Sequence, residues 1–342
     1  MIRITDNTDI KRMTTFGLKA ECGRLIEYDT TDDLRELFNR GMLKNVLPIG
    51  GGSNLLFTTG RYDGTILHCT DRSVETGNPD AEGMVTLKAA AGCVLDELCA
   101  MTCRQSLWGL ENLSGIPGEA GGAAVQNVGA YGTEFKDVVT TVHCFDITSG
   151  ETTVLDNSDC RYGYRDSVFK HLKNPGSLVV TGVTMKLWTT PRPRLGYAAL
   201  ASAFGNHNPA GLTPIMLRDA VLNLRDDKLP SPTLTGSAGS FFKNPVVSAE
   251  FHSEMQNRMN RNIPGHVLHS GEVKLSAAWL IDNAGCKSFK CGAAGVWQSQ
   301  PLVLVNTDGT ATGHDVVELE NKIRHAVMEK FGVDLIPEVI HI

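Results

Sequence analysis

Seven glycines fall within the twenty-four residues of GLENLSGIPGEAGGAAVQNVGAYG (109–132), and Tyr131 is the only polar residue with a ring among them. So bare a segment must lie where a backbone is approached closely or turned sharply. A second cluster, Gly50-Gly51-Gly52-Ser53-Asn54, follows NVLPI (45–49), which reads as a short buried strand. Glycine loops can aim converging N–H groups at a phosphate, because no side chain keeps the anion away. The common dinucleotide patterns are missing. Gly50-x-Gly52 is followed by Leu55 where a Rossmann fingerprint needs its third glycine, and no Gly-Lys dipeptide of a P-loop occurs. A lone triple glycine is more often a turn than a site. Two bare loops in the same half of the chain point instead to a large phosphate-bearing ligand that crosses both.

Around these loops the elements alternate. TDDLRELFNRGML reads as a helix capped by Thr31, with Leu34, Leu37 and Phe38 at helical spacing, and VLDELCAMTCRQ (94–105) reads as a second helix. VVTTVHCFDITSGETTVLD (138–156) reads as a hairpin turning at Thr148-Ser149-Gly150, and SLVVTGVTMKLW (177–188) as a strand. TTPRPRLGY (189–197) is a proline-broken connector and the expected domain boundary. Beyond it, Thr213-Pro214 starts a helix through Leu224, a cap followed by proline in the first turn. SAEFHSEMQNRM, SAAWLIDNAG and HDVVELENKIRHAVMEKF read as helices, and LVLVN (302–306) as a strand. The class is α+β.

At 342 residues the chain is long enough for two or three domains. A net charge of −6 without clustered Lys and Arg argues against a nucleic-acid partner. The nine cysteines are odd in number and include no C-x-x-C, which predicts reduced thiols rather than disulfides or zinc. His266 and His269 of HVLH lack a third ligand nearby, so no metal is expected. MIRITDNTDIKRM has no apolar signal core, and no apolar run approaches the roughly 18 residues of a membrane span. A cytoplasmic protein without a membrane partner is expected.

PIGGGSNLLF, GLENLSGIPGEAGGAAVQNVGAYG, CRYGYRDSVFK, LPSPTLTGSAGSFFKNP and the ending IPEVIHI resemble, in order and spacing, the UDP-N-acetylenolpyruvoylglucosamine reductase (MurB) family. These flavoenzymes make UDP-N-acetylmuramate for the bacterial cell wall. The resemblance covers nearly the whole chain, and RLGYAAL (194–200) is similar to the tyrosine-bearing segment of the longer, type I members. It implies an FAD-binding domain of the vanillyl-alcohol-oxidase (PCMH) type in two subdomains, 1–70 and 71–212. A C-terminal α+β substrate-binding domain, 213–342, would follow, its tail 332–342 returning to the active site. It also implies non-covalent FAD, NADPH as co-substrate, UDP-N-acetylglucosamine enolpyruvate as the molecule reduced, and a monomer. The backbone of Gly50, Gly51, Gly52, Ser53 and Asn54 would hold the pyrophosphate. Gly115, Ile116, Pro117 and Gly118 would lie along the flavin with Gln126, Asn127, Gly129, Ala130 and Tyr131, and Arg225 would face it. Side chains there are expected to collide with the dinucleotide.

Reduction of an enolpyruvyl ether places negative charge on its α-carbon and carboxylate. The site therefore needs a cation on the carboxylate, a proton donor at the α-carbon, and exclusion of water. On spacing alone Arg165 of YGYRDS reads as a surface ion pair and Ser240 of GSAGSFF as a turn residue. The resemblance reverses both. It implies that the Arg165 fork binds the carboxylate beside Tyr164, that Ser240 projects from a tight turn into a covered cavity and protonates the α-carbon, and that Glu338 polarises the group or orients a proton relay. Ile336, Val339 and Ile340 are expected to tie the tail that carries Glu338 into the fold. For the UDP-sugar the matching positions are Tyr197, Lys228, Asn244, Lys287 and Gln300. Ala198-Ala199 stand where family members often have Gly-Asp after the tyrosine. Two other readings fit the same residues: an oxidase of this fold that hands electrons to oxygen, and a UDP-sugar-binding protein that has lost the flavin.

Overall fold

The computed structural model describes every residue except 206, 207, 209, 210 and 232. Pro232 of the LPSPTL segment thus lies outside the described residues. Two compact units divide the chain. One comprises Met1–Thr8, Cys22–Gly52 and Asp63–Asp226, the other Asp9–Glu21, Ser53–Tyr62 and Asp227–Ile342.

In the first unit, strand Val46–Ile49 pairs in parallel with Arg61–Cys69, bringing Ile49 opposite His68. These strands join Arg3–Asp9 and Glu21–Tyr28 in a four-stranded sheet. Helix Thr31–Asn39 is capped by Thr30, not by Thr31 as the sequence predicts. The Thr30 hydroxyl accepts from the Asp33 N–H and the Asp33 carboxylate accepts from the Thr30 N–H, so this reciprocal box already takes Thr31 into the helix. A five-stranded antiparallel sheet runs in the order Thr152–Asp156, Val139–Asp146, Leu178–Trp188, Met84–Ala90, Val74–Thr76. The predicted hairpin supplies two of its strands. Ile26, Leu67, Leu87, Leu98, Phe145 and Val183 belong to one buried cluster that joins both sheets with helix Leu95–Arg104.

The connector 189–197 stays within this unit. It leads to helices Ala198–Phe204 and Pro214–Asp226, whose Leu200, Phe204, Leu217 and Val221 pack with Trp108. The glycine stretch is not all loop. Ala120–Gln126 forms a short helix that buries Ala120, Gly121, Ala123 and Ala124. A Cβ at Gly121 would sit 2.9 Å from the Ala91 Cβ, so the small residues let this helix close onto its neighbour.

In the second unit, strands Gly236–Ser240, Val303–Asn306, Ala294–Val296 and Lys290–Cys291 form a sheet in that order. Helix Gly313–Phe331 starts at a Thr312–Asp315 capping box and buries Val316, Leu319, Ile323, Val327 and Phe331. Ser248 and Ser276 cap helices Ala249–Met259 and Ala277–Asn283. The last strand, Ile340–His341, pairs in parallel with Leu55–Leu56.

Candidate active site

The loop of Gly50, Gly51 and Gly52 leaves the end of strand Val46–Ile49 and packs on the turn at Gly118-Glu119. A Cβ on Gly51 would lie 3.0 Å from the Gly118 Cα, and one on Gly50 would lie 3.3 Å from Glu119 Oε2. At Gly51 the missing side chain makes room for another stretch of this chain. The same holds at Gly115, whose Cβ would meet Arg225 Nε at 2.8 Å, and at Gly129, whose Cβ would meet the Thr133 carbonyl oxygen at 2.8 Å. At these positions the protein meets itself, a reason for glycine that stands beside the expected room for a dinucleotide. Gly122 differs, being exposed with open space where its Cβ would stand. The two loops are thus poor in side chains and leave backbone amides as donors of their own. That donor set suits a diphosphate.

Glu119 was not anticipated. It is buried under the first loop, and both carboxylate oxygens lie 3.2 Å from His68 Nε2. A carboxylate inside an otherwise uncharged PG-AGGAA run was the available signal. Asp96 was missed as well. It accepts from the Gly115 N–H at 2.6 Å and pairs with Arg218, whose Nη2 lies 3.0 Å from Oδ2. Burial raises the Asp96 pKa, but the hydrogen bonds from Arg218 and Gly115, with the charges of Arg218 and Arg225, outweigh it and leave the carboxyl below its ordinary value. Ile116 and Pro117 follow half-buried, and the Gly118 carbonyl accepts from Leu95, pinning the segment to a helix start.

Arg225 reaches the same place from helix Pro214–Asp226 and hydrogen-bonds Tyr131. Burial lowers its pKa, while Tyr131 and Asp96 act to raise it. Tyr131 and Gly132 are both left-handed (φ 50° and 82°), as a two-residue hairpin turn between Gly129–Ala130 and Thr133–Glu134 requires. Tyr131 packs edge-on against Tyr197, with ring centroids 5.1 Å apart. Tyr197 is the N-cap of helix Ala198–Phe204, so Ala198-Ala199 form its first turn.

Tyr164 and Arg165 occupy a tight turn closed by paired Gly163–Asp166 backbone bonds of 3.0 and 3.2 Å. The left-handed Arg165 backbone (φ 54°) costs of order 1–3 kcal/mol for a residue with a Cβ, and such strain concentrates at functional sites. Asn127, itself left-handed, donates its side-chain amide to the Gly163 carbonyl at 2.8 Å. The Arg165 guanidinium donates to the Gly129 carbonyl and stands 5.5 Å from the Tyr164 ring centre. Gln126 ends the helix that leads into this hairpin.

Ser240 and Glu338 lie in the second unit on adjoining backbones. Between the pairs Ser237–Val305 and Ser240–Val303, Ala238 and Gly239 oppose Leu304 alone, a one-residue bulge with Gly239 left-handed (φ 68°). Ser240 therefore sits on a bulged strand rather than in a turn, and it is exposed rather than covered, ahead of buried Phe241 and Phe242. The Glu338 N–H donates to the Phe241 carbonyl at 2.8 Å, and Lys243 donates to the Ile336 carbonyl at 2.9 Å. The tail is tied in as expected, by Val339 of the three residues expected but not by the two isoleucines. Ile336 and Ile340 are 59% and 42% exposed, and the buried anchors are Leu335 and Val339. Asn54 follows Ser53 and Gly52, and its side-chain amide donates to the Glu338 carbonyl at 3.1 Å.

The other expected sugar contacts also lie in this unit. Asn244 Oδ1 accepts from the Ala277 N–H at 2.9 Å at a helix start, Lys287 pairs with Asp282 at 3.0 Å, and the Lys228 carbonyl accepts from Trp297 Nε1 at 3.0 Å. Gln300 turns the chain into strand Val303–Asn306 through its carbonyl, which accepts from Val303. Ser240, Glu338, Lys228, Asn244, Lys287 and Gln300 thus belong to one unit, and Arg165, Tyr164, Tyr197, Tyr131 and Arg225 to the other. All nine cysteines are free and buried. Among the described residues no helix is long and apolar enough to cross a membrane.

Residues 25–156, which hold both glycine loops, match the FAD binding domain family. With its two sheets and bare loops, the first unit is an FAD-binding domain of the PCMH type, and the chain is an FAD-dependent oxidoreductase. Residues 231–342 match the UDP-N-acetylenolpyruvoylglucosamine reductase C-terminal domain. The chain is 40% identical over 335 residues to UDP-N-acetylenolpyruvoylglucosamine reductase of Chromobacterium violaceum, with 97% of each covered. It is 40% identical over 336 residues to that of Neisseria meningitidis serogroup A, covering 96% of this chain and 94% of the relative. The crystal structure of UDP-N-acetylenolpyruvylglucosamine reductase (MurB) from Thermus caldophilus matches 100% of this chain and 99% of that one, with a TM-score of 0.69 and 25% identity. The protein belongs to the UDP-N-acetylenolpyruvoylglucosamine reductase family.

Proposed function

We propose that the protein uses NADPH to reduce UDP-N-acetylglucosamine enolpyruvate to UDP-N-acetylmuramate, a step of peptidoglycan precursor synthesis, in the cytoplasm and as a monomer. The observation that carries the reading is the placement of Ser240 and Glu338 on hydrogen-bonded neighbouring backbones inside a domain matched to this family's C-terminal domain. FAD, bound without a covalent link, would supply the hydride chemistry that links NADPH to the enolpyruvyl β-carbon. Gly50 to Asn54 would hold its pyrophosphate through backbone N–H groups, and Gly115 to Gly118, Gln126 to Tyr131 and Arg225 would flank its ring. The two sheets of the first unit are the FAD-binding subdomains, meeting near residue 70.

The remaining chemistry belongs to side chains. The planar Arg165 fork binds the substrate carboxylate in two places and stabilises charge as it develops there, with Tyr164 beside it. Ser240 gives its hydroxyl proton to the α-carbon, and its exposure in the second unit leaves the hydroxyl reachable by a ligand. Glu338 polarises the enolpyruvyl group or orients the proton relay. Tyr197, Lys228, Asn244, Lys287 and Gln300 hold the UDP-sugar, Lys228 as a point charge on the diphosphate.

The test is anaerobic. Flavin absorbance should bleach on adding NADPH and recover on adding the enolpyruvyl sugar, with UDP-N-acetylmuramate identified by mass. One surface serving both reactants in turn predicts parallel initial-rate lines. Bleached enzyme that recovers only in air would refute the assignment in favour of an oxidase.

A further inference from the structure

His341, the penultimate residue, makes three contacts within the second unit. Its Nε2 lies 2.7 Å from Glu320 Oε2, its Nδ1 lies 3.2 Å from the Val339 carbonyl oxygen, and its ring meets Phe241 edge-on at 6.0 Å. A carbonyl oxygen and an ionised carboxylate only accept hydrogen bonds, so both contacts are satisfied together by a ring that donates from both nitrogens, the imidazolium. Glu320 projects from helix Gly313–Phe331 with a side chain only 6% exposed. A carboxylate so buried is costly unless it is paired. Its other cation, Arg324, stands 3.8 Å away and is itself engaged by Asp334. The near partner of Glu320 is therefore His341, on the strand that follows Glu338. Phe241, whose ring His341 touches, directly follows Ser240.

We propose that His341 is a positioning residue that, held between Glu320 and the Val339 carbonyl, latches the C-terminal segment so that Glu338 stays aligned beside the Ser240 strand. The latch adds to a set of backbone ties. Ile340 donates to the Asn54 carbonyl, Ile342 donates to the Leu56 carbonyl, and Thr58 donates to that of Ile342, each at 2.9 Å. Because those ties join strands of only two residues, they open readily without a side-chain anchor. Among the described residues, the charged groups that act on the ring are Glu320 and Arg324, with Asp334 behind Arg324; Phe241 and the paired Leu55 and Leu56 add none. The Glu320 hydrogen bond raises the His341 pKa against the opposing effect of burial, and the charge of Glu320 and the Val339 carbonyl add to the rise. A pKa raised on folding means that the latch contributes fully below pH 6.5 and is lost as pH rises through the raised value.

The test uses the full-length, FAD-loaded enzyme and two readouts, of which only the kinetic one rests on the proposed reaction. Amide exchange of residues 335–342, corrected for its intrinsic pH dependence, should quicken by about tenfold or more across the His341 titration. His341→Phe keeps a ring against Phe241 but offers no proton, so its tail should exchange fast at every pH. In this variant flavin reduction by NADPH should stay within about twofold of wild type, while reoxidation by the enolpyruvyl sugar slows by about tenfold or more. Glu320→Gln keeps an acceptor without the charge and should move the exchange step to lower pH. It carries the test if His341→Phe does not fold. Tail exchange in His341→Phe equal to wild type, an unmoved step in Glu320→Gln, or equal slowing of both half-reactions would overturn the latch. A wild-type enzyme that never reoxidises with the sugar would sink the reaction instead and leave the exchange result to decide on the latch.

Discussion

Gly51→Ala and Gly122→Ala separate two reasons for a glycine that sequence alone merges. At Gly51 the new methyl would sit 3.0 Å from the Gly118 Cα and 3.4 Å from its carbonyl carbon, so one loop must back away. Neither contacted atom belongs to a side chain that could swing aside. Overpacking of this kind costs about 1–3 kcal/mol. If flavin binding requires the two loops together, that cost appears in its dissociation constant as a factor of about 5 to 150. At Gly122 nothing stands within 4 Å of the new methyl, and the residue lies inside helix Ala120–Gln126. Alanine in a helix interior is favoured over glycine by about 0.5–1 kcal/mol. Gly122→Ala should therefore melt slightly higher as apoprotein and bind FAD within a few-fold of wild type. The assay is FAD titration of deflavinated protein by fluorescence quenching, beside thermal melts of each apoprotein. Wild-type affinity in Gly51→Ala, or an equal loss in Gly122→Ala, would show that contact between the loops does not set flavin binding.

Ser240→Ala should leave flavin reduction by NADPH nearly unchanged and slow reoxidation by the enolpyruvyl sugar by about 10²–10⁴-fold, with Ser240→Cys recovering part; stopped-flow absorbance follows both halves. Arg165→Lys should weaken sugar binding and slow reoxidation together, because a point charge cannot replace the fork; kcat and KM should both worsen. Asp96→Asn should destabilise the protein by about 1–3 kcal/mol at neutral pH, by weakening the charge-assisted bonds to Gly115 and Arg218. Since folding lowers the Asp96 pKa, that loss is fully present above the ordinary value of 3.8 and fades as pH falls through the lowered one, which urea melts at several pH values would record.

Much of the fold was legible because local chemistry and tertiary packing agree in it. Thr213-Pro214 announced a helix start that the structure keeps, SAEFHSEMQNRM and SAAWLIDNAG read as helices and are, and TSG marked the hairpin of Val139–Asp146 with Thr152–Asp156. The one-residue error at Thr30-Thr31 arose because either threonine can cap. Only Asp33, three residues after Thr30, completes the box. Helix Ala120–Gln126 was illegible for a different reason. Seven residues of Gly, Ala, Val and Gln carry no apolar stripe, and the helix is made by what closes over it: Ala91, whose Cβ leaves no room for a larger residue at Gly121.

The site was legible as residue types more than as geometry. YGYRDS and GSAGSFF locate Arg165 and Ser240, but the left-handed Arg165 backbone and the bulge before Ser240 depend on pairing partners distant in sequence: Asn127 for the first, Val303 and Val305 for the second. Glu338 shows the limit most clearly. Apolar neighbours suggested a buried tail, yet its outward isoleucines stay exposed and the segment is held by carbonyls of Asn54, Leu56 and Phe241, which any sequence would supply. Backbone ties of that kind leave no mark on composition. The tail's own polar side chain that marks the docking is His341, and its meaning rests on Glu320, twenty-one residues earlier and buried on the face of another element. A histidine beside a chain end reads as a frayed polar residue until that carboxylate is known to need it.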